Sequence, residues 1–482
     1  MNRILKLILT LCLFIILVAC GRTEQEHVSV QLWLTTPDKS RLLERQPDLS
    51  FAPEESAGET TVDVDEAQTY QTMDGFGASM TDASAWLIAN RLGPEKRNEL
   101  MAKLFDRSEG IGISYLRVPM GASDFALDHY SYNDLPEGES DPELRRFSIE
   151  YDEAYIIPTL LHAREINPDL KLMGSPWSAP GWMKTSGSLI GGSLNIEHFG
   201  TYADYFVKFI KAYDAAGLPI DAVTPQNEPH HVPADYPGMR MDALQQAEWI
   251  KNGLGPALAE AGLETKIVIW DHNWDETYYP LTVLNDPEAS RYIAGTAFHG
   301  YAGEVSGQSK VKEAHSEKDI YFTESSGGAW STNFGDNLKW DMQNLIIGAT
   351  RHWARTVLKW NLALDENGGP HKGGCQDCRG VVTIDSATGE FILNEEYYAF
   401  GHASKFVIPG ARRIESTALE AGGIENVAFQ NPDGSIVLVA LNSADSVKAF
   451  IVRWKGESFR TSLPAGAAAT YVWPASTGSG AK

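Results

Sequence analysis

The chain has 482 residues and a formal net charge of −24, with 43% hydrophobic and 22% charged residues. That is enough apolar material for a barrel-sized core and a small companion, and it is not the composition of a disordered or collagen-like chain. So acidic a surface repels phosphate backbones, which excludes nucleic acid as an expected partner.

At the N-terminus Arg3 and Lys6 precede an apolar run, Leu7 to Ala19, that is too short to span a bilayer comfortably. It ends in Leu17-Val18-Ala19-Cys20-Gly21, the pattern of a bacterial lipobox. Residues 1–20 are therefore expected to be a lipoprotein signal peptide, with Cys20 the lipidated first residue after cleavage. Glycine rather than aspartate after Cys20 permits outer-membrane sorting. The expected location is thus secreted and lipid-anchored at the bacterial cell envelope, with membrane contact only through that anchor. Residues 21–66 read as a tether passing into strands, because Val28–Leu34 and Thr61–Asp65 alternate.

From Thr72 onward, short apolar runs alternate with amphipathic stretches. The runs are Met73–Ala78, Ile113–Val118, Leu170–Gly174, Ile220–Thr224, Lys266–Trp270, Gly295–His299, Asp319–Thr323 and Thr356–Trp360. Helical spacing marks Phe199–Ala215, Asp242–Ala261 and Asn337–Trp353 between them. Eight strand–helix units predict a (β/α)8 TIM barrel over 67–408, with a doubly wound sheet as the alternative. After Gly410 strands follow one another without helices: Asn426–Phe429, Ser435–Leu441, Val447–Trp454 and Ala469–Trp473, with a turn at Asn431-Pro-Asp-Gly434. Residues 409–476 are expected to form an attached all-β sandwich, completed by the N-terminal strands and acting as a buttress.

Active sites of such barrels lie where the strands end. The fourth run ends Thr224-Pro-Gln-Asn-Glu-Pro-His230 and the seventh ends Tyr321-Phe-Thr-Glu-Ser-Ser-Gly-Gly328, which puts Glu228 and Glu324 at the mouth. Two facing carboxylates are the minimal machinery of glycoside hydrolysis: one protonates the leaving oxygen, the other attacks or stabilises the anomeric carbon. A metal-dependent hydrolase is disfavoured, since no ligand cluster of suitable spacing occurs at the strand ends, and neither metal nor cofactor is expected.

Six segments carry a resemblance across nearly the whole mature chain: Asp74-Gly-Phe-Gly-Ala-Ser-Met-Thr-Asp82, Leu116-Arg-Val-Pro-Met-Gly-Ala-Ser-Asp124, Ser175-Pro-Trp-Ser-Ala-Pro-Gly-Trp-Met-Lys184, Gln226-Asn-Glu-Pro229, Thr323-Glu-Ser325 and Trp360-Asn-Leu-Ala-Leu364. In these the chain resembles glycoside hydrolase family 30, the branch of glucosylceramidases and β-1,6-glucanases. The resemblance implies a retaining double displacement with Glu228 as acid/base and Glu324 as nucleophile, their carboxyls about 5–5.5 Å apart. It implies that Asn227 holds the sugar 2-hydroxyl, and that Arg117 and Tyr301 hydrogen-bond the nucleophile. Asp124 and Trp177 would bind hydroxyls, and Trp360 would pack on the sugar face. His299 is expected to be a cleft-lining hydrogen-bonder.

Cys12 and Cys20 fall in the leader, leaving Cys375 and Cys378 in the mature chain. Outside the cytosol, this C-x-x-C is expected to form a local disulfide, with free thiols or a zinc site using His371 as alternatives. The cysteine loop, Gly368 to Val382, departs from the glucosylceramidase type and borders the subsites. It turns the expectation towards β-1,6-glucan or its oligosaccharides rather than glucosylceramide, although Trp182, Met183 and Leu189 could form an apolar lip for a lipid. The chain is expected to act as a monomer. The competing readings are an exo-acting β-glucosidase or β-xylosidase and, from another class, a carbohydrate-binding lipoprotein without turnover.

Overall fold

The computed structural model describes residues 27–53, 60–419 and 421–475. The signal-peptide and Cys20 expectations lie outside the described residues. Among the described residues, no helix is long and apolar enough to cross a membrane.

Eight parallel strands close into a barrel: Gly75–Ser79, Tyr115–Pro119, Lys171–Ser175, Ile220–Val223, Lys266–Asn273, Ile293–His299, Asp319–Glu324 and Ala354–Asn361. The eighth pairs with the first through Thr356 and Gly75, which completes the ring. Inside, Tyr115, Met173, Ala222, Val268, Ala297, Tyr321 and Leu358 form one packed cluster, large rings set against small alanines. Gly77 is required by this closeness, since a Cβ there would lie 2.0 Å from the Tyr115 carbonyl oxygen.

Helices cover the outside. Phe199–Ala215 buries Tyr202, Tyr205, Phe206, Phe209, Ile210 and Tyr213, the stripe that its helical spacing predicts. The helix expected over Asp242–Ala261 is interrupted by a wide π turn, Ile250–Leu254, just before Gly255-Pro256. Pro256 has no N–H to give the preceding turn, and the wider turn accommodates it.

Among the described residues, ten strands in one order make the second module, and Thr61–Thr72 pairs with Arg412–Ser416 on one side and Lys448–Trp454 on the other. Ser29–Thr35 inserts between Glu44–Ser50 and Ala468–Trp473, so N-terminal strands do complete the sandwich. Within the segment read partly as tether, the described residues carry strands Ser29–Thr35, Glu44–Ser50, Ala52–Pro53 and the start of Thr61–Thr72. Glu44–Ser50 escapes pattern reading because it is a polar edge strand carrying Pro47. The sandwich grips the barrel through His402, whose buried ring bonds Thr35 and Thr470 hydroxyls at 2.8 and 2.9 Å.

Candidate active site

The fourth strand runs out at Val223, and the chain turns through Thr224–Glu228 across the mouth. Glu228 itself adopts a left-handed backbone, φ +44°, uncommon for a non-glycine residue. Its amide is held by the Asp271 carbonyl at 3.0 Å, and the Asn227 amide by the Pro176 carbonyl at 2.8 Å. Glu324 is the last residue of the seventh strand, and is 5% exposed. One oxygen of each carboxylate, together with a ring nitrogen of His299, falls within 4.8 Å of the others. A trio of that shape could ligate a cation, but hydrogen bonds already engage these groups.

Arg117, fully buried at the second strand, organises the floor. Its Nη1 donates to Glu324 Oε2 at 2.6 Å, and its Nη2 donates to Asn227 Oδ1 and Asp271 Oδ2, both at 2.7 Å. The guanidinium also stacks on Trp177, 4.8 Å from the ring centroid, and Trp177 stacks on Trp360 at 4.9 Å. The Tyr301 hydroxyl donates to the other Glu324 oxygen at 2.9 Å. Two donors on opposite oxygens favour the carboxylate form.

His299 is corrected from wall to floor. It is fully buried, with Nδ1 3.0 Å from Glu228 Oε1 and Nε2 3.1 Å from Asp271 Oδ1, so neither ring nitrogen is left for a sugar. Burial alone would lower its pKa, yet the charge of Glu324 and the bonds to Asp271 and Glu228 push it up to about 9. Burial would likewise raise Glu228, but the imidazolium bond and charge of His299 pull it below the usual glutamate range. Glu324 is raised, by burial and by the charge of Glu228, against the pull of His299 and Arg117. These three groups therefore titrate as a cluster, with a proton resting on His299 beside Glu228.

Asp124 lines the cavity over the two glutamates, as do Trp360, Tyr301, Tyr236, Gly374, Cys375 and Cys378. Burial, then the charges of Glu324 and Glu228, push the Asp124 carboxyl well above its ordinary value, leaving it able to donate a hydrogen bond. Cys375 and Cys378 are joined by a disulfide. This loop presses on Asp124: a Cβ on Gly374, which has φ +71°, would lie 2.5 Å from the Asp124 Cβ. Of the three residues expected at an apolar lip, Met183 is buried, and Trp182 and Leu189 are half-buried outside the lining of this cavity.

Asp271 was missed by sequence reasoning. It accepts from Arg117, Ser175, Thr224, Thr323 and His299, and so ties the group that holds Glu324 to the group that holds Glu228. A bulge puts it there: Trp270 and Asp271 have φ +73° and +62°, and the pairing with the sixth strand slips between Ala297 and Phe298. The strand-end rule could have found it, since the fifth run continues directly into Asp271.

A closed (β/α)8 barrel with a glutamate at the end of the fourth strand and another at the end of the seventh defines a two-carboxylate barrel glycosidase. The glycosyl hydrolase family 30 TIM-barrel domain matches residues 73–407, and the family 30 β-sandwich domain matches 410–471. The chain is 35% identical to the endo-1,6-beta-D-glucanase neg1 of Aspergillus fumigatus over 87% of this chain and 88% of that protein. It is 33% identical to the lysosomal acid glucosylceramidase of Mus musculus over 84% of this chain and 81% of that one. The solved structure of the endo-beta1,6-glucanase BT3312 superposes with a TM-score of 0.88 at 34% identity, covering 93% of this chain and 100% of that one. The chain belongs to glycoside hydrolase family 30 and is an O-glycosyl hydrolase.

Proposed function

We propose that the protein is a lipid-anchored β-glucanase that cleaves β-1,6-linked glucan with retention of configuration. The observation that carries the chemistry is the short gap between Glu228 and Glu324, one oxygen of each lying within 4.8 Å of the other, which accords with the retaining separation of about 5–5.5 Å between carboxyls.

Glu324 attacks the anomeric carbon while Glu228 protonates the departing oxygen. A glycosyl ester on Glu324 forms, and the glycosidic C–O bond breaks. Glu228, now a base, takes a proton from water, which attacks the same carbon and releases Glu324. The proton for the first step is stored at His299 Nδ1, 3.0 Å from Glu228. Arg117 and Tyr301 hold the nucleophile, and Asn227 meets the 2-hydroxyl. Asp124, Trp177 and Trp360 seat the same sugar.

The β-1,6 linkage draws support from the glucanase relatives and from the polar, disulfide-bridged rim at Cys375. A preordered rim loses little entropy when a chain binds. Side-by-side specificity constants test this: a higher value for gentio-oligosaccharides than for solubilised glucosylceramide is expected, and the reverse order refutes it. Lipidation at Cys20 and an outer-membrane location rest on the lipobox. Wild type should partition into detergent and C20S should not; equal partitioning refutes the anchor. The monomer is checked by light scattering.

A further inference from the structure

Lys184 ends the segment that follows the third strand, and the reaction described above makes no use of it. The residue is only 3% exposed. Its Nζ donates to Ser178 Oγ at 2.7 Å, to the Leu189 carbonyl at 2.8 Å and to the Gly238 carbonyl at 2.9 Å. These bonds use every proton of an ammonium, and all of them go to neutral oxygens. Lys359, about as buried, instead faces the Asp341 carboxylate at 3.0 Å. Without such a counter-charge, burial alone pushes Lys184 down to about 7. A buried cation among neutral acceptors is costly, so its retention points to the geometry that those acceptors share.

The acceptors come from separate stretches of chain, and two of them close one loop. Residues 224–238 follow the fourth strand, carry Glu228, and line the catalytic cavity from Val232 to Tyr236. The start of this loop is held by the segment before Lys184. The Asn227 amide donates to the Pro176 carbonyl at 2.8 Å, and Gln226 Nε2 donates to the Trp177 carbonyl at 2.6 Å. The end of the loop is Gly238, whose amide donates to the Leu189 carbonyl at 3.1 Å while its own carbonyl accepts from Lys184. A Cβ on Gly238 would lie 2.4 Å from Pro233 Cδ, so the loop folds back on itself there. Lys184 thereby fastens the end of the acid/base loop to the segment that holds its start.

The free middle of the loop is the part that borders the reaction. Tyr236 stands in the cavity wall with its hydroxyl 2.9 Å from His231 Nε2. The leaving group departs beside Glu228, so residues 232–236 form the wall along which it leaves.

We propose that Lys184 is a positioning residue for the leaving sugar, closing the acid/base loop so that the 232–236 wall stands where that sugar departs. It rests on the β-glucanase reading above. Phenyl β-gentiobioside and gentiotriose present the same gentiobiosyl unit, and both leaving groups take a proton from Glu228. They differ in that one leaving group is a phenol and the other a glucose. In K184M, kcat/KM for gentiotriose relative to the phenyl compound should fall about tenfold, within the cost of a small misplacement. In S178A, which removes one acceptor, the same ratio should fall about threefold, the scale of one hydrogen bond. S178A alone decides the matter if K184M does not fold. A lysine that only supports the fold would lower Tm and leave the ratio unchanged in the folded variants, and that result overturns the proposal. Equal losses on both substrates overturn it too. Turnover of neither compound, nor of β-1,6-glucan, by wild type would instead overturn the β-glucanase reading itself.

Discussion

At the end of the barrel where the strands begin, Asp74 accepts from Lys171 at 2.7 Å and from Arg355 at 2.9 Å, and Arg355 reaches Asp319 at 2.7 Å. Two carboxylates there meet two cations. Burial would raise the Asp74 carboxyl, yet Arg355 and Lys171 hold it below its usual value. At the mouth, Glu228, Glu324, Asp271 and Asp124 have Arg117 and His299 between them, and their pKa values spread in opposite directions. One end has closed its electrostatics and contributes to stability. The other is left with surplus negative charge and shared protons, the condition that acid–base chemistry needs. The difference lies in the number of counter-charges and in burial, since Lys171, Arg355 and Asp319 are partly exposed whereas Arg117, His299 and Asp271 are fully buried.

The largest effects should come from the mouth. E228Q and E324Q are each expected to lower kcat by a thousandfold or more, roughly the worth of a positioned proton-transfer group, with the fold retained by circular dichroism. In alanine variants, azide should restore turnover, giving a β-azide from E228A and an α-azide from E324A. Exchange of the two products would reverse the roles.

Next comes a matched pair across the two ends. D271N should lower kcat by about a hundredfold, since it releases Arg117 and His299 together and a small misplacement costs on that order. D74N should leave kcat in place and cost about 2–3 kcal/mol of stability, below the full price of breaking a buried pair because Lys171 and Arg355 are partly exposed. Its carboxyl is depressed when folded, so that stability is present above the ordinary aspartate pKa and lost as pH falls through the folded value. The acid side of a Tm-against-pH curve should therefore flatten in D74N. If D271N unfolds the chain and D74N abolishes turnover, the contrast between the two ends is wrong.

Much of this contrast could be read before the fold was in hand, and the exceptions have physical causes. The eight apolar runs fall on the eight barrel strands because strands buried on both faces read as continuous apolar segments. Glu228 and Glu324 follow from the strand-end rule alone. Asp271 also lies where the fifth run ends, but its inward aim comes from a bulge, and alternation carries no trace of one. His299 was expected to line the cleft; that it faces two carboxylates depends on contacts from the fourth and fifth strands.

A smaller effect concerns protons. Activity should fall on the acid side as Glu324, raised above the ordinary glutamate value, takes a proton, and on the alkaline side as the cluster loses the proton His299 holds up to about pH 9. In H299N that proton has no imidazole to rest on, so the alkaline limb of kcat/KM should move to lower pH. An unmoved limb removes His299 from the proton inventory.

The smallest effect belongs to the rim. C375S should raise KM roughly threefold, the scale of ordering one or two side chains, and leave kcat alone. A loss confined to kcat would place the loop's influence in the chemical step.

The two-glutamate geometry is tested most directly by the configuration of the product. Proton NMR of β-1,6-glucan hydrolysis, recorded before mutarotation, should show the β-anomer at the newly formed reducing end first. Initial appearance of the α-anomer would contradict double displacement through Glu324.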